Sequence, residues 1–352
     1  MNQQKCPKDK IGSAKKKFNT AHKDILKKPV SHFNVRHKSN VFNIIQSFDG
    51  TAFQSRNLVR CLNVMLGMLQ DSERPTIFLA LAGAMVPGGL RKTLRDMLDL
   101  RIIDVLVSTG ANLYHDVHEA LGFHHYLAQK KIPDLELRKH QVNRMYDVYA
   151  SDEEFKKTDI FIKNFADSLQ PKSYSTRDFL NRLGNKLQDK NSILSTASKK
   201  NIPIFCPAIA DSGIGLSLAW HTQKRNEEKR QPLLIDTIQD NLEILKLKIE
   251  AKKTGAIHIG GGVPKNYVQQ IAPLADILGI KTPSHSYGIQ ITTDDPKWGG
   301  LSGCTFSESQ SWGKYAENAR FATVYMDATI GLPLLFTACL EMKKIWYPRK
   351  AP

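Results

Sequence analysis

Two short apolar runs, separated by a turn and a helix-length stretch, constrain this chain more than any other feature. The first, residues 76–84, carries Ile77, Phe78, Leu79, Ala80 and Leu81 and ends in the small residues Gly83 and Ala84. Pro87, Gly88 and Gly89 then turn the chain, and residues 90–100 have helical periodicity. The second run, residues 102–110, is Ile-Ile-Asp-Val-Leu-Val-Ser-Thr-Gly. Strand, small-residue turn, helix and strand make the βαβ pattern of a parallel sheet covered on both faces. The turns after such strands lie at the carboxyl edge of the sheet, where dinucleotides bind against helix N-termini. Neither turn here is a G-x-G-x-x-G, so pattern alone makes no nucleotide site.

The same alternation returns downstream. Residues 202–211 read as a strand ending at Asp211, and 233–249 as a periodic helix. Residues 255–259 form a strand that runs into Gly260, Gly261 and Gly262, and 287–293 form another. Residues 41–70 predict an amphipathic helix, and the polar stretch 131–200 a mostly helical peripheral layer, with Ser175 capping a helix before Phe179. Five or six strands alternating with helices predict one Rossmann-like, doubly wound α/β domain over residues 41–352. Its sheet is mostly parallel, with helices on both faces. Residues 1–40 predict a basic, disordered leader, because nine lysines crowd positions 5–28 with little apolar surface between them.

That leader accounts for much of the formal charge of +16, and no nucleic-acid signature accompanies it, so nucleic acid is not an expected partner. The five cysteines are scattered, odd in number and without Cys-x-x-Cys spacing. They exclude a disulfide framework, make a zinc site unexpected and suit a reducing cytoplasm. No apolar run is long enough to span a bilayer, so no membrane partner is expected.

Three groups of residues bear on chemistry. Glu308, Ser309, Gln310, Ser311, Trp312, Gly313 and Lys314 place one lysine behind a Trp-Gly pair, and a strand-like segment ending at Asp327 and Ala328 follows. A lysine beside aromatic surface becomes a nucleophile when partial burial favours its neutral amine, and is otherwise a solvated surface charge. The three glycines at 260–262 admit either the close approach of a ligand or another backbone, or a tight strand-to-helix turn. His115 and His118 share a helix face near His124 and His125, an arrangement that serves metal binding, hydrogen bonding or proton transfer. No further Cys/His pair supports a metal, and none is expected.

The segment Glu-x-x-Ser-Trp-Gly-Lys followed by Val-Tyr-x-Asp-Ala resembles the active-site signature of the deoxyhypusine synthases. The resemblance extends over residues 41–345 through Pro207-Ala208-Ile209-x-Asp211 and Gly260-Gly261-Gly262-Val263-x-Lys265. It implies a homotetramer with NAD sites at dimer interfaces and an aminobutyl group carried on Lys314. The donor is a polyamine such as spermidine, and the acceptor is a protein lysine (hypusine chemistry) or a small amine, as in homospermidine synthases. A non-catalytic NAD-binding homologue is the remaining reading. By the same resemblance Trp312 and Glu308 meet the substrate, together with Gly261 and Asn266. Gly83, Ala84, Pro87, Thr109, Gly110, Asp211, Thr293, Asp294, Asp327 and Ala328 contact the cofactor.

The chain departs from the family pattern at several acids. Tyr114-His115 stands where eukaryotic members carry Glu-Glu, Asn266 where a histidine is expected, and Leu301 where a polyamine-binding aspartate is expected. A cationic chain needs paired acids to leave water. The departures imply a donor with fewer or differently spaced charges, with Asp116, Asp294 and Asp295 as replacement acids. They also leave His115 as a candidate base titrating near neutrality, or as a hydrogen-bonding residue within its turn.

Overall fold

The computed structural model describes residues 29–34, 39–129 and 131–352. Six strands form the central sheet: β1 Thr76–Leu81, β2 Val105–Ser108, β3 Ile204–Phe205, β4 Thr254–Ile259, β5 His285–Thr292 and β6 Tyr315–Tyr325. They lie in the order β6-β5-β4-β1-β2-β3 and every pairing is parallel. Read from β3, this is the 3-2-1-4-5-6 order of the dinucleotide-binding sheet, with its topological switch point between β1 and β4. The registers Thr76↔Thr254 and Phe78↔Val105 fix β1 between neighbours made far apart in the chain.

Alternation along each strand divides the interior. Ile77, Leu79 and Leu81 join one core and Phe78 and Ala80 the other, as do Ile257 and Ala256 on β4. The larger core is covered by α1 (Phe53–Gln70), α2 (Arg91–Asp99), α3 (Gly110–Ala120), α4 (Ile193–Lys199) and a long C-terminal helix, Ala328–Glu341. The smaller is covered by α5 (Thr237–Glu250) and α6 (Gly262–Ile277), with Phe306 and Tyr315 beside them. Helices therefore cover both faces, as the sequence predicts. Among the described residues no helix is long and apolar enough to cross a membrane.

Four places differ from or add to the local expectations. The predicted helix over 41–70 is two helices, Val41–Ser47 and α1, broken by a single turn at Phe48–Gly50. There a side chain on Gly50 would collide with Ser31, its ideal Cβ lying 2.6 Å from the serine Cβ. The strand predicted over 202–211 pairs only at Ile204–Phe205, because Pro203 and Pro207 flank it and cannot donate to the ladder. The stretch 131–200 is mostly helical, as expected, and in addition Val142–Met145 and Val148–Ser151 form an antiparallel hairpin joined to Tyr126–Leu127. Val142 and Val148 suit strands, and Tyr146, at φ 54°, supplies the left-handed turn. Most of the expected leader lies outside the described residues. Within 29–34, however, Ser31 donates its N–H to Gly50 O at 2.8 Å and the Phe33 ring lies 5.0 Å from that of Phe48. That short piece is tied to the body of the protein.

Arg349 adds a tie at the opposite, amino end of the sheet. Its guanidinium is buried and donates to Pro75 O at 2.8 Å and Ile102 O at 3.4 Å.

Candidate functional site

The geometry around Lys314 follows from two local signals. Thr305 Oγ1 accepts the Glu308 N–H at 3.1 Å and so starts a six-residue helix, Phe306–Ser311, with Glu308 in its first turn. Two bonds end that helix: Gly313 N–H to Gln310 O at 2.9 Å and Lys314 N–H to Ser309 O at 3.1 Å. This paired closure is a Schellman stop, and it requires a left-handed residue, here Gly313 at φ 67°. The Trp-Gly-Lys sequence is thus a helix terminator that hands the chain to β6. Lys314 O accepts the His285 N–H at 3.0 Å, which pins the residue at the amino end of β6 beside the start of β5.

The Lys314 side chain is only 7 % exposed, yet its Nζ has no hydrogen-bond or ion-pair partner among the described residues. It lies 5.3 Å from the Trp312 ring centroid, within cation–π reach. With Asn266, Glu308 and Trp312 it lines a cavity of about 310 Å³, so one site unites four of the residues picked out by resemblance. The same cavity is lined by Leu301, in the place of the expected aspartate, and by Lys265, Gln269, Pro296 and Cys304, to which no role attached from sequence. Glu308 is exposed and forms no ion pair with another described residue. Leu301 stands in the wall as an apolar surface. Lys265 is 1 % exposed, and burial, with the Lys314 charge nearby, pushes its pKa down to about 8 against the pull of Glu308 and Asp294.

Gly261 is placed differently. It is buried, and a Cβ there would lie 2.3 Å from Ser302 Cα. Of the two readings of the glycine triplet, Gly261 satisfies close approach by the chain's own 299–304 loop.

The candidate cofactor residues all follow strand carboxyl ends. Gly83, Ala84 and Pro87 follow β1, Thr109 and Gly110 follow β2, and Asp211 follows β3. Thr293 and Asp294 follow β5, and Asp327 and Ala328 follow β6. Gly83 and Gly260, beyond the adjacent β1 and β4, take left-handed φ of 67° and 69°. Thr109 Oγ1 donates to Gly83 O at 2.7 Å, and Asn112 joins the same turn through Met85 N–H at 2.7 Å. Sequence reasoning missed Asn112; its signal was a polar amide two residues into a helix that opens on glycine. Neither α3 nor α6 has a side-chain cap from its own N-cap residue, whereas Ser212 and Asp327 cap the helices that follow them. Glycine turns beyond β1 and β4, which flank the switch point, and the start of α3 beyond β2 fit a dinucleotide's phosphates through backbone N–H groups. The Asp327 carboxyl, held below its usual range by Thr329, is exposed at the same edge.

His115 does not line the Lys314 cavity within this chain. It sits on α3, buried against Phe155, with Nδ1 2.9 Å from His125 Nε2 and His125 Nδ1 2.8 Å from Glu119. Burial, then the neighbouring His125 and His118, push its pKa down to about 3, which corrects the expectation of a base titrating near neutrality. His118 shares the face as expected, with Nδ1 3.0 Å from Thr158 Oγ1. Asp116 is likewise no replacement acid for a polyamine. It is fully buried, pairs with Arg91 Nε at 2.7 Å, and accepts from Ser192 Oγ at 2.8 Å and the N–H groups of Ile193 and Leu194 at 3.0 and 2.9 Å. Asp295 is spent on capping Lys297 N–H at 3.0 Å. Asp294 remains exposed.

Sheet order and edge geometry define a dinucleotide-type α/β fold with an amine-bearing cavity on one face. The deoxyhypusine synthase family model matches residues 43–339. A relative from Methanosarcina mazei, "Probable deoxyhypusine synthase 2", is 42% identical over 94% of this chain and 95% of its own length. A "Deoxyhypusine synthase-like protein" from Chlorobaculum tepidum is 40% identical over 93% of each. A crystal structure of a "putative deoxyhypusine synthase" from Entamoeba histolytica shares the fold, with a TM-score of 0.62 and 21% identity over 89% of this chain and 97% of that one. The chain belongs to the deoxyhypusine synthase family.

Proposed function

We propose that this protein is an NAD-dependent transferase that moves an aminoalkyl group from a polyamine, through an imine on Lys314, to an acceptor amine. The observation that carries the reading is a buried lysine whose amine, without a hydrogen-bond or ion-pair partner among the described residues, faces a cavity with Trp312 and Glu308. Gly83, Ala84, Pro87, Thr109, Gly110, Asp211, Thr293, Asp294, Asp327 and Ala328 would hold NAD, which would supply reversible uptake and return of a hydride at the carbon beside the donor's nitrogen. The Lys314 amine attacks the oxidised carbon, forming a new carbon–nitrogen bond, and the displaced amine leaves with a proton. The acceptor amine then adds to the same carbon, the Lys314 amine is released, and hydride returned to that carbon reduces the product imine. Glu308 accepts hydrogen bonds from a substrate ammonium, and the Trp312 face holds the alkyl chain beside the amine.

The acceptor is a protein lysine or a small amine, and a homotetramer is the expected assembly. Incubation with NAD and a panel of diamines and polyamines, borohydride trapping and peptide mass spectrometry test the reading. The expected result is an aminoalkyl increment on the Lys314 peptide. Product analysis with small amines and with a hypusine-type translation factor identifies the acceptor. Absence of any adduct or product across the panel, in protein that binds NAD, overturns the transferase and leaves a non-catalytic homologue.

A further inference from the structure

One side of the Lys314 cavity is a loop, residues 299–304, whose Gly299, Gly300 and Leu301 are exposed. Such a loop has little apolar surface with which to anchor itself, so its position depends on polar ties. Those ties converge on two buried side chains. Lys265 Nζ donates to Cys304 O at 2.6 Å, to Gln290 Oε1 at 2.9 Å and to Ser302 O at 3.4 Å. Gln290, 2 % exposed on β5, donates through Nε2 to Ser302 O at 2.7 Å and to Gly260 O at 2.9 Å. Ser302 Oγ in turn accepts the Gly262 N–H at 3.1 Å, and Gly261 lacks the Cβ that would push the loop away.

A lysine ammonium has three donors, and here each meets an oxygen of the chain itself. While those bonds stand, Lys265 has no proton to offer a substrate. Its contribution is to position the loop, although it faces the same cavity as Lys314.

We propose that Lys265 and Gln290 form a clasp that holds residues 299–304 against the Lys314 cavity, so that Lys265 is a positioning residue for amine binding at Lys314. The inference rests on the reading of Lys314 as the reactive amine. It extends that reading by assigning a role to the lysine of the Gly-Gly-Gly-Val-x-Lys segment and to a glutamine no motif marks. Loss of donors on either side should release the loop. Loss of charge alone occurs only at Lys265.

The test compares full-length wild-type protein with Lys265→Met, which keeps chain length, and Gln290→Met, which keeps the lysine charge. Hydrogen exchange is followed by mass spectrometry over 299–305. Both variants should exchange there at least tenfold faster, with β1 and α1 unchanged, and the apparent KM for the amine should rise at least tenfold, more than kcat falls. Unchanged loop exchange in Lys265→Met overturns the clasp, as does acceleration spread evenly over the chain. A KM effect confined to Lys265→Met, with Gln290→Met like wild type, assigns the effect to charge and also overturns it. The exchange measurement needs no turnover. Faster loop exchange in a protein that transfers nothing keeps the clasp and defeats the transferase; unmoved exchange in an active enzyme does the reverse.

Discussion

Two clusters of ionisable side chains, one in the Lys314 cavity and one around Asp116, look equally promising as lists of residues and differ in what their groups have left to give. Around Asp116 nearly every charge is committed. Arg91 faces Asp116, Asp189 at 2.8 Å and Glu119 at 3.5 Å, and Glu119 continues through His125 to His115. In the cavity, Lys265 is committed in the same way, but Lys314 and Glu308 are not. Density of titratable residues therefore marks a reactive site poorly. Unspent hydrogen-bonding capacity facing a cavity marks it better.

The largest expected effect is at Lys314. Lys314→Ala should abolish adduct formation and transfer, a loss of at least about a thousandfold, with the thermal midpoint within a few degrees of wild type. Lys314→Arg should be equally inactive, because guanidinium stays protonated. An active arginine variant would remove the distinction between the two clusters.

Asp116→Ala should act in the opposite sense, on stability before chemistry. It leaves the buried Arg91 with only Asp189 and Glu119 and removes the acceptor of Ser192 Oγ and of two backbone N–H groups at the start of α4, at a cost of about 3 kcal/mol. Denaturant unfolding reads this directly. A loss below about 1 kcal/mol would show that the cluster is not a structural lock.

What the sequence made legible follows from the same difference. Strands such as Ile77 to Leu81 could be read because burial on both faces writes itself as a continuous apolar run. Thr305, Glu308 and Gly313 carry the start and end of the lysine segment's helix in local residues, a signal present in the sequence but not used to place a helix there. Asp116 could not be read as structural, because Arg91 and Ser192 reach it from distant segments. Nor could His115 be read as neutral, because His125 and the Phe155 side chain close over it only in the folded chain. The partners of Lys265 were hidden for another reason: two of them are backbone carbonyls, which carry no residue signature.

A third prediction concerns acid. His115 and His118 have pKa values lowered from 6.5 to about 3 and about 4, burial being the main cause, so the folded state keeps them neutral. Below about pH 6.5 the unfolded chain takes up protons that the folded chain refuses, and stability contributed by this pair is lost as pH falls from there toward 4. His118→Phe should flatten that part of the stability-versus-pH curve; an unchanged slope would place the acid sensitivity elsewhere.

The smallest effect is expected from His115→Gln on the pH–rate profile. A histidine titrating near 3 contributes no ionisation close to neutrality, so the profile between pH 6 and 9 should keep its shape in the variant. Disappearance of a limb near pH 7 would return His115 to the role of base and merge the two clusters into one site.

The central place of β1 carries a consequence for how the molecule comes into being. β1 is the first strand of the sheet to leave the ribosome, yet one of its two edges waits for β4, made more than half a chain later. Until then a strand with five apolar residues in a row, Ile77 to Leu81, presents open N–H and C=O groups. Arg349, which ties Pro75 and Ile102 from near the end of the chain, arrives later still. Assembly of this sheet is consequently a late, long-range event, of the kind that folds slowly and leaves a sticky edge exposed while it waits. That edge stays open from the synthesis of β1 until β4 is made, a delay set by strand order and independent of any chemistry the finished protein performs.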